Sequence, residues 1–265
     1  LDQVFMYLPG TPPKQIRSYI RDFETMGVVT HYNIEVKELD LEGKTAGKFA
    51  GYAVMTFSLQ YLDYRRVFVK RAMDIVGGLV GSVVTIFLTP FVALAIKLES
   101  KGPVFFAQTR IGKNGRRFRL LKFRSMYVDA EQQKKKLVSQ NEMRDNLMFK
   151  MENDPRVTRV GRFLRRTSLD EFPQFFNVLK GDMSLVGTRP PTEEEFEQYN
   201  NYYRRRMSIT PGLTGMWQVK GRGVVTEFEE VVKLDLEYID KWTLLLDLKI
   251  MLQTVGVVLF GKGAK

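Results

Sequence analysis

The sequence predicts an α/β protein held to a membrane through one bent hydrophobic segment, and three observations predict it. Residues 75–96 form a run of 22 residues without a charge, and Pro90 stands inside it. Ahead of the run, a short apolar stretch, an amphipathic stretch and a second apolar stretch follow one another as in a βαβ unit. Behind it, two strand-like stretches flank Lys113-Asn114-Gly115, and much of the remainder is helical in pattern.

The elements follow in order. Val4 to Leu8 reads as a strand; Pro12-Pro13 opens a helix with Ile16, Ile20 and Phe23 on one face, ending near Gly27; Val28-Val29-Thr30 begins another strand. No glycine-rich dinucleotide fingerprint is present, so nucleotide binding by this part is unsupported. His31 reads as a strand residue without catalytic duty. The pattern is that of a βα domain begun upstream, and the chain opens on Leu1-Asp2, not on Met.

The uncharged run, as a straight helix, would be about 33 Å long, enough for a bilayer core. Pro90 removes a helix hydrogen bond, at about 3 kcal/mol in a helix interior, and Thr89 is placed to satisfy a freed carbonyl. Lys70 and Arg71 precede the run and Lys97 and Lys101 follow it, so the flanks give no inside–outside asymmetry. A helix that breaks at Thr89-Pro90 and returns to the same face fits both facts. An ordinary kinked span and a long buried core helix are the competing readings.

After the run, Gly102-Pro103 is a turn. Val104 to Gly112 and Arg116 to Phe123 form a hairpin around Asn114-Gly115. Residues 129–150 are polar and read as an exposed helix or loop. Thr210-Pro211-Gly212 is a turn. Leu244 to Phe260 is apolar but interrupted by Asp247 and Lys249, which favours an interfacial helix over a second span.

Composition narrows the chemistry. The 265 residues hold 41 Lys+Arg and 30 Asp+Glu, a formal charge of +11, and 44% are hydrophobic, enough for a packed core. The basic residues cluster beside apolar ones, as at residues 65–71, 116–119, 162–166 and 204–206, and point to anionic partners. Cys is absent, which excludes disulfides, thiolate metal sites and Cys catalysis; the single histidine, His31, argues against multi-His metal sites and Ser-His-Asp catalysis. Carboxylates, Lys, Arg, Tyr and hydroxyls remain.

The densest candidate site is Arg165-Arg166-Thr-Ser-Leu-Asp170-Glu171-Phe-Pro173, continuing to Gly181. A helix is expected from Ser168–Asp170 to Gly181, and Ser168-x-x-Glu171 reads structurally as a capping box. The next segment, Gly181 to Pro191, is rich in turns and offers backbone donors and Arg189. Lys122 and Arg124 add cations and are candidate phosphate ligands. A carboxylate pair among several cations is what phosphoryl transfer needs: the cations neutralise a diphosphate, and a carboxylate holds a metal or attacks phosphorus. No Walker or kinase signature appears. The alternative is a membrane-anchored basic module that binds lipid or nucleic acid without catalysis; it has no use for Asp170-Glu171.

The ordered blocks Lys70-Arg71-x-x-Asp74, Thr89-Pro90, Gly102-Pro103-Val-Phe-Phe106, Gln108-x-Arg110-x-Gly112, Lys122-Phe-Arg-Ser-Met126, Thr167-Ser-Leu-Asp-Glu-Phe-Pro-Gln174, Lys180-Gly-Asp-Met-Ser-Leu-Val-Gly187, Thr188-Arg189-Pro190 and Pro211-Gly-Leu-Thr-Gly215 run from Val67 to Phe260. They resemble the bacterial polyprenyl-phosphate sugar-1-phosphate transferases, the monotopic phosphoglycosyl transferases, and among them the larger, exopolysaccharide- or capsule-type members. The resemblance implies part of a cytoplasmic Rossmann-like accessory domain at 1–66, a re-entrant membrane helix at 67–101, and a mostly helical catalytic domain with a small hairpin and C-terminal interfacial helices at 102–265.

It also implies the reaction: sugar-1-phosphate, glucose or galactose with glucose slightly ahead, passes from a UDP-sugar to undecaprenyl phosphate, and UMP leaves. The family's nucleophile matches Asp170, and Glu171 would help hold Mg²⁺; which acid contacts the metal stays open. Arg166 would orient the pair. Lys122, Arg124, Arg189, Pro190 and Arg222 would bind substrate, although Thr188 departs from the family's Pro-Arg-Pro element. The implied partners are a UDP-sugar, undecaprenyl phosphate, inner-membrane lipid and a second copy of the chain, with no nucleic acid. The implied location is the bacterial inner membrane, with the catalytic domain on its cytoplasmic face.

Overall fold

A computed structural model describes residues 2–33, 44–57, 64–137, 147, 151, 154–221, 225 and 227–260. The first part begins with strand β1 (Gln3–Met6), helix α1 (Pro13–Thr25) and strand β2 (Val29–Asn33). Pro13 at the first turn needs no hydrogen-bond partner for its nitrogen. β1 and β2 pair in parallel, as the βαβ pattern requires. Ile16 and Ile20 of α1 are fully buried against Met6 and Tyr32, forming a small core of their own.

Two further strands, β3 (Lys44–Phe49) and β4 (Tyr52–Phe57), complete a sheet of order β1-β2-β4-β3 with antiparallel pairing. The two residues between them, Ala50 and Gly51, both have positive φ (49° and 88°), the geometry of a two-residue hairpin turn. The sequence does not announce this hairpin, because Ala-Gly lacks the Asn or Asp that marks one. His31 lies in β2, its ring between Gln3 and Thr56 at 3.0 and 2.8 Å.

Helix α2 (Tyr64–Glu99) follows, 36 residues or about 54 Å if straight. Among the described residues it is the one helix long and apolar enough to cross a membrane. The helix continues through Pro90, so the expected break at Thr89-Pro90 is not a helix end. Nor does the Thr89 hydroxyl reach the carbonyl that Pro90 frees. It donates to Thr85 O at 2.7 Å, the i−4 carbonyl within a helical threonine's ordinary reach.

One face of α2 is buried at helical spacing: Asp74, Gly78, Gly81, Thr85, Val92 and Ile96. The opposite face exposes Val76, Val80, Phe87, Phe91, Leu94 and Leu98. Small residues let the body come close. A Cβ on Gly81 would lie 2.2 Å from the Phe175 ring, and one on Gly78 would lie 3.0 Å from the Leu179 nitrogen.

Both ends of α2 join the same body. Near its start, Lys70 Nζ meets Asp247 Oδ2 at 2.7 Å and donates to Val186 O at 2.9 Å; Arg71 donates to the carbonyls of Val178 and Leu179, both at 2.8 Å. Near its end, the Glu99 carboxylate accepts from the amides of Arg159 and Val160 at 2.6 and 2.7 Å.

The rest of that body is a hairpin, β5 (Phe105–Ile111) with β6 (Arg117–Phe123), then α3 (Ala130–Leu137), α4 (Arg159–Arg166), α5 (Gln174–Lys180) and β7 (Ser184–Val186), followed by α6 (Glu193–Glu197), α7 (Asn201–Arg204), β8 (Gly212–Thr214), α8 (Met216–Lys220), α9 (Phe228–Asp240) and α10 (Leu244–Phe260). Asn114 and Gly115 take positive φ in the turn of the expected hairpin. α10 is helical as expected, but Asp247 is not a solvent-facing interruption. It is buried and accepts from Lys70, Tyr238 (2.6 Å) and Trp242 (3.2 Å). The largest core lies here, around Val186, Phe228, Val231, Val232 and Ile250. The first part of the chain meets this body where Gly27, at φ 72°, turns against Ser208, and where Asp2 meets Asn114 and Arg116.

Candidate active site

The acidic pair sits in a reversal between α4 and α5. α4 opens on Thr158, whose hydroxyl accepts from the Gly161 amide at 2.9 Å. Gly161 is required there: a Cβ would lie 1.9 Å from Ser125 O. Ser168 turns the chain back with φ 55°, and Leu169–Glu171 form a 3₁₀ turn.

Two local expectations are corrected. The helix begins at Gln174, not at Ser168–Asp170, because Pro173 has no N–H to return to Leu169 O. Ser168 makes no capping bond, its left-handed backbone being unlike the extended one a cap uses. The capping box of this region is elsewhere, at Thr192 and Glu195. The helix stop at Gly181, with φ 98°, is as expected.

Asp170 is buried, and Glu171 beside it meets Lys122 Nζ at 2.8 Å. Burial, more than anything else, raises the Asp170 carboxyl above the ordinary aspartate value of 3.8; Lys122 opposes this, Glu171 adds to it, and Arg165 opposes it. The strand that carries Lys122 is held by Asn177 of α5. Asn177 accepts from the Leu121 amide at 3.1 Å and donates to Arg119 O at 2.8 Å, locking β6 to the helix behind the pair. Asn177 was not among the sequence candidates, and an Asn inside an apolar helix was the available signal.

The arginines sort themselves by helix face. α4 buries Gly161 and Leu164, and Arg165, next to Leu164, donates to Ser125 Oγ at 3.0 Å and bears on Asp170. Arg166, one step further round, is exposed. Arg124 is buried and donates to the carbonyls of Lys101 and Ser100 at 2.9 and 2.8 Å, closing the end of α2. Arg222 lies outside the described residues.

The backbone donors expected of residues 181–191 are largely spent within the fold. β7 and β8 form a parallel ladder, the Leu185 amide donates to Asp74 at 2.8 Å, and the Gly187 amide donates to Thr214 O at 2.9 Å. Correspondingly, Thr210-Pro211-Gly212 leads straight into β8. Arg189 is half-buried and Pro190 buried. Burial, and then the charge of Arg189, bring the Arg110 guanidinium down to about 10.

The pair is fixed to the apolar helix. The Phe172 carbonyl, next to Glu171, accepts from the Thr85 hydroxyl at 3.1 Å, and Thr85 lies near the middle of the uncharged run. An apolar groove of about 460 Å³ opens between α2 and α10, lined by Val69, Met73, Val76, Leu185 and Met251, and does not include the pair. Among the described residues no three acidic or histidine side chains converge as a metal cage. Two adjacent carboxylates nevertheless match the way Mg²⁺ is commonly held, by one or two carboxylates completed by substrate phosphates and water.

Comparison with known proteins gives the setting. The profile of the bacterial sugar transferase family matches residues 65–261. The galactosyl transferase CpsE of Streptococcus agalactiae serotype III is 49% identical over 272 residues, covering 100% of this chain and 59% of its own. The UDP-glucose:undecaprenyl-phosphate glucose-1-phosphate transferase of Escherichia coli is 44% identical, over 70% of this chain and 39% of its own. The undecaprenyl-phosphate galactose phosphotransferase of Salmonella typhimurium is 40% identical, over 74% of this chain and 42% of its own. The chain thus spans less than two thirds of the length of these relatives.

Proposed function

This chain belongs to the bacterial sugar transferase family, and on that footing we propose that it transfers a hexose-1-phosphate from a UDP-sugar to undecaprenyl phosphate, releasing UMP, with Asp170 as covalent carrier. The observation that carries the reading is the buried Asp170, flanked by the Glu171–Lys122 pair and tied through Phe172 to the middle of the apolar helix.

In the first step a carboxylate oxygen of Asp170 attacks the β-phosphorus, the bond to the oxygen bridging to the α-phosphate breaks, and UMP leaves with that oxygen. In the second, a phosphate oxygen of the lipid attacks the same phosphorus and the Asp170 carboxylate departs. Splitting the transfer avoids bringing two bulky anions together. Lys122 and Arg165 oppose the upward pull of burial on the Asp170 carboxyl and offset the charge of the incoming diphosphate. Arg189 serves the nucleotide end. Asp170 and Glu171 would hold Mg²⁺, which when bound supplies further neutralisation of the phosphates.

The same contacts favour a monotopic placement, and a nucleotide-sugar donor favours the cytoplasmic face of the inner membrane. A helix anchored at both ends to one polar body has both ends on one side, and a site beside Thr85 would otherwise lie in the bilayer core. The exposed face of α2, with Leu245, Leu248, Leu252 and Val255 of α10, supplies the lipid-facing surface. The 49%-identical galactosyl transferase moves galactose ahead of glucose as the first sugar to test. Chain in detergent with Mg²⁺ and UDP-galactose or UDP-glucose should release UMP, and Asp170→Asn should abolish release. Undiminished release by that variant would remove Asp170 from the reaction.

A further inference from the structure

Residues 188–191, which carry Arg189, are neither helix nor strand, and two of the four are prolines without an N–H donor. No ladder can hold such a segment, yet its backbone carbonyls are all bonded from outside. Thr188 O accepts from the Gly212 amide at 2.9 Å, Arg189 O from Arg206 Nη2 at 3.4 Å, Pro190 O from Arg110 Nη1 at 3.1 Å, and Pro191 O from the Ile111 amide at 3.0 Å. The Thr188 hydroxyl donates to Arg206 O at 2.9 Å. The segment is stitched to β5, to β8 and to the turn carrying Arg206.

The two stitching arginines are themselves immobilised. Arg110 grips Gln108 Oε1 with two nitrogens, at 3.1 and 2.8 Å, and has Glu195 at 3.8 Å. Arg206 is among the most buried side chains in the protein; it pairs with Asp235 at 2.6 Å, donates to the Tyr199 hydroxyl at 2.9 Å, and lies over the Phe228 ring at 5.1 Å. Arg189 differs from both. Among the described residues no carboxylate lies within ion-pair distance of its guanidinium, and its side chain is half-open to solvent. The charge of Arg189 is felt by Arg110, Tyr199 and Asp235 without an ion pair to any of them, and carbonyls bonded on both sides of a half-exposed cation are how a fold holds a charge ready for an anion.

We propose that Arg110, Thr188 and Arg206 are positioning residues for Arg189, fixing the backbone on either side of it so that its guanidinium is presented in one place to the phosphates of the sugar nucleotide. This rests on the transferase reading and deepens it. It also gives Thr188 a task at the point where the chain departs from the Pro-Arg-Pro pattern of its family: its hydroxyl supplies a stitch that a proline has no group to make.

The test uses two variants of the full chain. Arg110→Lys keeps the charge but loses the fork that reaches both Gln108 and Pro190. Thr188→Val is nearly isosteric and removes only the hydroxyl. UDP-sugar saturation, read as KM and kcat, is measured with thermal melting. Arg110→Lys should raise KM by about 10-fold and Thr188→Val by about 3-fold, with kcat within about 2-fold, the size expected for one misplaced charged hydrogen bond. Melting of Thr188→Val should stay close to that of the parent. An unchanged KM in Thr188→Val, or a fall in kcat alone, overturns the inference even where Arg110→Lys fails to fold. A lower melting temperature with KM unchanged does the same, since it leaves only a structural role. A parent chain with no saturable UDP-sugar dependence defeats the transferase reading itself, and this inference with it.

Discussion

Asp170, as the proposed carrier, would serve chemistry at the expense of the fold. Its carboxyl is raised, first by burial, so folding favours the protonated form more than the unfolded chain does. The sign follows. A raised folded value contributes stability that is complete below the ordinary 3.8 and is lost as pH rises through the raised value. At neutral pH without metal, Asp170→Asn should therefore melt above the parent, by roughly a few degrees, and the gap should close toward pH 4. Thermal scans at several pH values check it; equal melting across the range would show that ionised Asp170 is not a burden. Lys122 opposes the shift, so Lys122→Met should move the acid limb of the kcat/KM profile to higher pH while lowering activity overall. An acid limb that stays in place would separate Lys122 from Asp170.

Among elements, the deciding ones are those that fasten α2 to the body. Asp247 gathers Lys70, Tyr238 and Trp242 where α10 meets the start of α2, so Asp247→Ala takes the shared carboxylate from all three and leaves Lys70 and Tyr238 only the Val186 carbonyl. The expected loss is about 3 kcal/mol, read as a fall in melting temperature in detergent; a loss below about 1 kcal/mol would mean that water replaces the carboxylate.

This level is also where the sequence was most and least informative. β1, α1, β2, the Asn-Gly hairpin and the helix stop at Gly181 were legible because each is written in local periodicity and turn chemistry. The parallel pair β7–β8 was not, since each strand has three residues and the partners lie far apart in sequence. Nor were the spent backbone donors of 181–191 or the capping role of Arg124, which depend on tertiary neighbours. Asp170, Glu171 and Lys122 were named from the sequence and meet in space; that Arg165 faces the pair while Arg166 faces solvent depended on the phase of an eight-residue helix.

For the whole molecule the question is how a protein of charge +11 sits on a bilayer. One long helix turns an apolar face outward along its length, while both of its ends are bonded to the body that carries the acidic pair. These 265 residues hold no cysteine, so single cysteines at Arg66 and Lys101 report topology cleanly. In sealed vesicles both should react with an impermeant maleimide from the same side. Labelling from opposite sides would make α2 a span and would place the pair in hydrocarbon.

Covalent transfer turns on one bond, between Asp170 and phosphorus. Incubated with a UDP-hexose and Mg²⁺ but no lipid acceptor, quenched in acid and digested, the protein should yield the peptide containing Asp170 heavier by one phosphohexosyl group. Subsequent addition of undecaprenyl phosphate before the quench should discharge it. Release of UMP with that peptide unmodified at every time sampled would contradict a covalent carrier at Asp170.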